Sequence, residues 1–292
     1  MEYFLMVFMS FASSVKSLIQ GKFGREHMKN NQDALLYNTL MFAATALIFV
    51  VWFCVKGEGL PSWPTVLLAS VMGLCETVFQ LCFTKALSRG SVSLTAMINN
   101  FYLLFPILFG ALVYGERVTA MQGVGVILFG AAMVLTASPE NGKKNDIKWL
   151  LMALACMSCS GIISVAQKFH QHMPCSDEGS AFIVVDNLMA LVTSGLVCLL
   201  RRRRDGEKAT VLLTPTLTGS ILLVGLILGG YHLTSLYLNG VTDSVIMYPI
   251  LSVTNLLFTA LWSVVIFKDR LTLKKGLALL VGTASIVLIN LR

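Results

Sequence analysis

Apolar residues run along this chain in long blocks separated by short polar turns. Blocks near the roughly 20 residues that an α-helix needs to cross a bilayer core fall at 2–21, 34–55, 63–86, 92–114, 119–137, 147–169, 180–200, 215–238, 243–266 and 273–290. The pattern predicts ten membrane-spanning helices. The punctuation between them is polar and turn-forming, as at Gly115-Glu116-Arg117, Ser138 to Asp146 and Asn239 to Thr242. The first block lacks a basic leader and a small-residue cleavage site, so it is expected to stay as the first span.

The two halves repeat each other. Leu5-Met6, Ser14 and Lys22-Phe23 fall on Leu151-Met152, Ser160 and Lys168-Phe169. Asn38 to Met41 falls on Asp186 to Met189, and Gly115 to Gly123 falls on Lys268 to Gly276. The polar matches carry the argument, because apolar identities are cheap in Leu-rich sequence. The expected units are 1–141 and 142–292. An odd number of spans per unit turns the second copy upside down, the inverted-repeat plan of many secondary transporters, with a site near the midplane.

Composition agrees. The chain has 292 residues, 56% hydrophobic and 13% charged, with a mean hydropathy of +0.76, which excludes a soluble globular domain. The formal charge of +7 sits in loops, a topology signal and not a nucleic-acid footprint. If odd-numbered loops are cytoplasmic, seventeen of the 22 basic residues lie on that side, which predicts both termini outside. The setting is a plasma or inner membrane, where Arg201 to Arg204 would meet anionic lipid headgroups.

Two five-helix units, each closing on an acidic-basic turn before a Gly-rich helix ("YGERVTAMQGVGVILFGAAMVL" and "FKDRLTLKKGLALLVGTASIVL"), resemble the EamA-type branch of the drug/metabolite transporter superfamily. The resemblance covers nearly the whole chain and implies a carrier of small metabolites or drugs, without naming the cargo. Asp269 departs from the glutamate common at that place. Family members are often drawn with cytoplasmic termini, against the charge count here.

Candidate site residues lie where polar groups sit deep in apolar spans. In the fourth span Thr95, Asn99, Tyr102 and Pro106 share one helix face, and with an offset of 153 they fall on Tyr248, Ser252, Asn255 and Thr259 of the ninth. These stripes read either as facing walls of a central cavity or as interhelical hydrogen bonding. Pro106 is the better candidate for a kink, since Pro249 lies in the first turns of its helix. Gly225 and Gly229, and likewise Gly123, Gly125 and Gly130, suit close helix contact.

Glu76 lies mid-span, where an ionised carboxylate costs about 2.5–3.5 kcal/mol on insertion scales. Gln80 is one turn on. The repeat counterpart falls near Gly229-Gly230, followed by Tyr231 and His232, so the two neighbourhoods are expected to meet. Glu76 reads as the counter-charge of a cationic cargo, as a proton-coupling carboxylate, or as a structural acid. Asp186 is a second coupling candidate, on the outer half, or a water-exposed group. His232 is a proton relay or a neutral hydrogen-bonded ring. Lys85 and Lys168 are expected to snorkel to the interface. Lys16 either does the same or pairs with an inward carboxylate.

Cys156 and Cys159 have metal-ligand spacing near His170, His172 and Cys175, but they align with Ser10 and Ser13 and fit helix packing. No metal or cofactor is expected. No phosphate loop, zinc-protease motif or nucleophile elbow is present, so an enzyme is not expected. The reading is an all-α carrier with alternating access, bound by small-molecule substrate, protons or another coupling ion, and membrane lipids. Organic cations or amines are favoured as cargo over neutral or zwitterionic metabolites such as amino acids, and a membrane receptor or scaffold is the alternative outside transport.

Overall fold

The computed structural model describes residues 1–27, 31–57, 59–89, 95, 98–136, 147–206, 214–265 and 273–290. The Ser138 to Asp146 turn and the Lys268 to Thr272 turn with Asp269 lie outside the described residues. So do the side chains of Lys22, Arg25, Arg89 and Thr259. The helices are α1 (Glu2–His27), α2 (Asn31–Lys56), α3 (Trp63–Arg89), α4 (Leu104–Val113), α5 (Ala120–Thr136), α6 (Ile147–Gln171), α7 (Gly179–Asp205), α8 (Pro215–Val241), α9 (Ser244–Val265) and α10 (Leu273–Asn290). No strand occurs among the described residues. Six of these helices, α1, α2, α3, α6, α7 and α8, are long and apolar enough to cross a membrane.

The chain forms two compact units, and each draws on both halves of the sequence. One comprises 1–14, 78–168 and 238–292; the other comprises 15–77 and 169–237. In the first, α5 packs along α10; in the second, α2 packs along α7. Each of these pairs joins helices from matching places in the two halves.

Lipid is as apolar as leucine, so close approach and hydrogen bonds hold such helices together. In the second unit Gly73 of α3 lies so near the backbone of α7 that a Cβ there would overlap Asp186 O and Ala190 N. One turn on, Thr77 Oγ1 donates to Ala190 O at 3.2 Å and pairs with Thr193 Oγ1 at 2.7 Å. Gly225 and Gly229 of α8 meet α2: Thr45 Oγ1 donates to Gly225 O at 3.0 Å, and the Phe49 ring fills the space a Cβ at Gly229 would need. Met41, Phe42, Ala190, Val224 and Leu228 complete the buried seam. Gly123 and Gly130 differ from expectation. Gly123 has open space, and Gly130 has only an ordinary distance to Phe101.

In the first unit a 3-10 turn, Phe101–Leu103, precedes α4. Pro106 cannot offer an N–H to the Tyr102 carbonyl, which is the reason to tighten the chain just ahead of it. Pro249 lies inside α9. Thr119 and Gln122 close a reciprocal capping box at the start of α5.

Gly115, with φ +65°, turns the chain after α4 so that Glu116 folds back over Gly110. Any Cβ at Gly110 would displace the Glu116 carboxylate. Glu116 Oε2 accepts the Ser244 N–H at 2.9 Å at the start of α9, and Oε1 pairs with Lys168. Lys168 Nζ also donates to Thr242 O at 3.1 Å. This corrects the snorkelling expectation for Lys168, which is 2% exposed. Glu116 offers a nearer counter-charge than the membrane surface, and the Thr242 carbonyl takes a further ammonium proton.

Candidate functional site

Helix periodicity brings one acid or base from each of three helices to one place in the second unit. On α3, Gly73, Glu76 and Thr77 share a face; on α7, Asp186, Ala190 and Thr193 do; on α8, Gly225, Gly229 and His232 do. The glycine contacts that draw α3 to α7 and α8 to α2 therefore also set the carboxylates and the imidazole. His232 Nε2 stands 3.3 Å from Glu76 Oε1, and His232 Nδ1 stands 3.3 Å from Asp186 Oδ2. Asp186 Oδ2 also accepts from Asn187 Nδ2 at 3.2 Å. The His232, Glu76 and Asp186 side chains are 5%, 11% and 1% exposed. The charge of Lys16 acts on Glu76.

The expected meeting of Glu76 with the Tyr231-His232 neighbourhood is what the structure has. Asp186 is not the water-exposed group that was one of its two readings, because the Gly73 contact presses its turn of α7 against α3. Tyr231 is half-buried beside His232, with ring centroids 5.9 Å apart. Asn187, which nothing in the sequence singled out, is buried and donates to Ile183 O as well as to Asp186.

Proton counting constrains this triad. A contact between an imidazole nitrogen and a carboxylate oxygen is a hydrogen bond only if one of the two atoms carries a proton. A neutral ring between two ionised carboxylates carries one proton and satisfies one contact. Both contacts form only when a second proton is present, on the ring or on the carboxyl oxygen that faces it.

The remaining candidates lie in the first unit. The Tyr102 and Tyr248 rings meet edge to face at 6.0 Å, and the Tyr102 hydroxyl hydrogen-bonds Ser252. Tyr248 donates to Asn239 Oδ1 at 2.9 Å. Asn99 Oδ1 accepts from Ser160 at 3.2 Å, and Thr95 accepts from Trp149 Nε1 at 2.9 Å. Thr95, Asn99 and Tyr248 of the stripes thus hydrogen-bond α6. Asn255 and Ser252 are half-buried on α9, and Gln80 is half-buried on α3. Phe79 and Phe83 stack at 5.2 Å. Trp262 Nε1 donates to Ser14 at 2.9 Å.

Reading the sequence missed the Glu116–Lys168 pair. Its signal was in the sequence alignment, where Lys22-Phe23 falls on Lys168-Phe169 and Glu116 falls on Asp269.

The EamA-like transporter family model matches residues 2–138. Among solved structures, one crystal structure superposes on 99% of this chain and 95% of its own at a TM-score of 0.76, with 16% identity. That likeness concerns the fold alone. The comparison with curated proteins gives no match. Over residues 2–138, from its first helix to the end of its fifth, the chain is thus similar to the EamA-like transporter family.

Proposed function

We propose that this protein is a proton-coupled secondary transporter of small metabolites or drug-like molecules, working by alternating access. In this reading ten helices form two inverted five-helix repeats, 1–141 and 142–292. Amines and other organic cations are the favoured cargo. The observation that carries the reading is the imidazole of His232 set between Glu76 and Asp186, each on a different helix. Gaining or losing one proton makes, breaks or weakens a contact that ties α8 to α3 or to α7, so protonation and helix packing are linked. A carboxylate freed from the ring is a natural partner for a cationic group.

A second reading is export of neutral or zwitterionic metabolites, with Glu76 and Asp186 handling protons alone. The uncharged hydrogen-bonding groups of Asn99, Tyr102, Tyr248 and Ser252 favour it. Proteoliposomes challenged with a labelled quaternary amine and a panel of labelled amino acids separate the two. Uptake of the amine driven by a pH gradient, and lost in Glu76→Gln, is expected. Full, equally pH-dependent uptake by a normally expressed Glu76→Gln protein would sink the proposal; amino-acid flux alone would move it to the second reading.

Both termini are proposed to lie outside a plasma or inner membrane, on the distribution of the basic residues. A fluorescent protein that matures only in the cytoplasm, fused after Arg292, is expected to stay dark. A bright fusion would reverse the orientation.

A further inference from the structure

Glu76 and Asp186 are the same acid one methylene apart, yet their surroundings differ. Glu76 faces His232 and lies within the field of Lys16 on α1. Asp186 is more deeply enclosed, at 1% exposure, and its oxygens are unequal. Oδ2 takes the Asn187 amide and faces the ring. Oδ1 is buried and has no hydrogen-bond partner among the described residues. A buried carboxylate oxygen without a donor is the costly kind of polar group, because it has given up water and received nothing. A proton placed there removes the charge and leaves Oδ2 free to accept both of its present contacts. That proton weakens the hold on His232 alone, whereas at Glu76 it would weaken an attraction to two bases, His232 and Lys16.

We infer that Oδ1 of Asp186 is the atom of the triad that takes up the coupling proton, and that Glu76 stays ionised as the counter-charge. The step forms one O–H bond from a carboxylate and a proton supplied by water; the triad's net charge rises by one. Glu76 then holds imidazolium in this conformation and is the carboxylate left for a cationic cargo. The groups acting on Asp186 are His232 of α8 and Glu76 of α3. Asp33 of α2 lies beside Gln32, which contacts Cys198, about three helical turns along α7 from Asp186. The inference rests on the proton-coupled reading and adds to it which carboxyl carries the proton.

Infrared difference spectroscopy of the full-length protein in lipid, stepped from alkaline to acidic buffer, tests it without any cargo. A protonated-carboxyl C=O band, shifted in D2O, is expected to grow in on acidification. It should vanish in Asp186→Asn and persist in Glu76→Gln. If Asp186→Asn does not fold, Asp186→Glu serves: the band should move in frequency there and stay put in Glu76→Asp. A band that disappears in Glu76→Gln but survives in Asp186→Asn overturns the assignment, as does one that moves only in Glu76→Asp, or no band in the parent protein. Loss of pH-driven uptake from an otherwise active parent would defeat the coupled-transport reading instead, whatever the band shows.

Discussion

Lys168→Met lowers the stability of the folded protein by about 3–5 kcal/mol, the range for removing one partner from a buried ion pair. The cost arises less from the lost attraction than from what remains. Glu116 keeps the Ser244 N–H but loses the charge that balances it, and the Thr242 carbonyl loses the ammonium donor at 3.1 Å. Methionine fills much of the same volume, so packing changes little. The double variant Glu116→Gln/Lys168→Met should recover a large part of the loss, since a neutral amide can still accept from Ser244. Thermal unfolding of the four proteins in detergent gives the coupling energy. A snorkelling lysine would make Lys168→Met nearly silent, within about 1 kcal/mol as for exposed pairs, and would remove the double variant's advantage.

Gly73→Ala is expected to have the second large effect. The added Cβ meets the backbone oxygen of Asp186 and the backbone nitrogen of Ala190, and neither can rotate aside as a side chain would. Relief comes only if α3 and α7 separate. Overpacking typically costs about 1–3 kcal/mol, and a backbone-to-backbone clash belongs at the upper end. Separation also lengthens the bonds from Thr77 to Ala190 and Thr193 and carries Glu76 away from His232. Transport should therefore fall further than stability. Gly123→Ala is the control: it has open space around it, and alanine improves on glycine in a helix by about 1 kcal/mol. Melting temperatures and uptake for the two variants decide the point, and a Gly73→Ala protein as stable and active as its parent would mean the helices do not meet this closely.

Much of this molecule was legible in the order of its residues. Hydropathy alone marks the six membrane-length helices, because a membrane span needs length and an apolar surface, and neither depends on which helix stands next to it. The proposed internal repeat rests on its polar matches, because polar residues in apolar helices are costly and apolar identities are cheap. Glu76 and His232 stood out on that ground, and the repeat offset brought them into one neighbourhood before any coordinates. Their third partner was harder. Asp186 sits two turns into its helix, where an acid can equally reach water, and only the contact at Gly73 turns it inward.

Lys168 shows the converse limit. Near a helix end, burial and snorkelling leave the same mark on a sequence. The difference lies in Glu116, 52 residues earlier, and in whether Gly110 leaves room for its carboxylate. Gly225 and Gly123 make the same point with opposite outcomes: both sit in small-residue patterns, yet only Gly225 has a neighbouring helix within reach.

By itself, the sequence determined that this is a multi-helix membrane protein and which residues are too polar for lipid. Those properties are summed along the chain and are local to each helix. The tertiary structure alone decided that Asp186 joins Glu76 at His232 and that Lys168 answers Glu116. Pairing depends on which helix faces come together and how closely, and that distance is set by a few glycines whose meaning lies in the backbone opposite them.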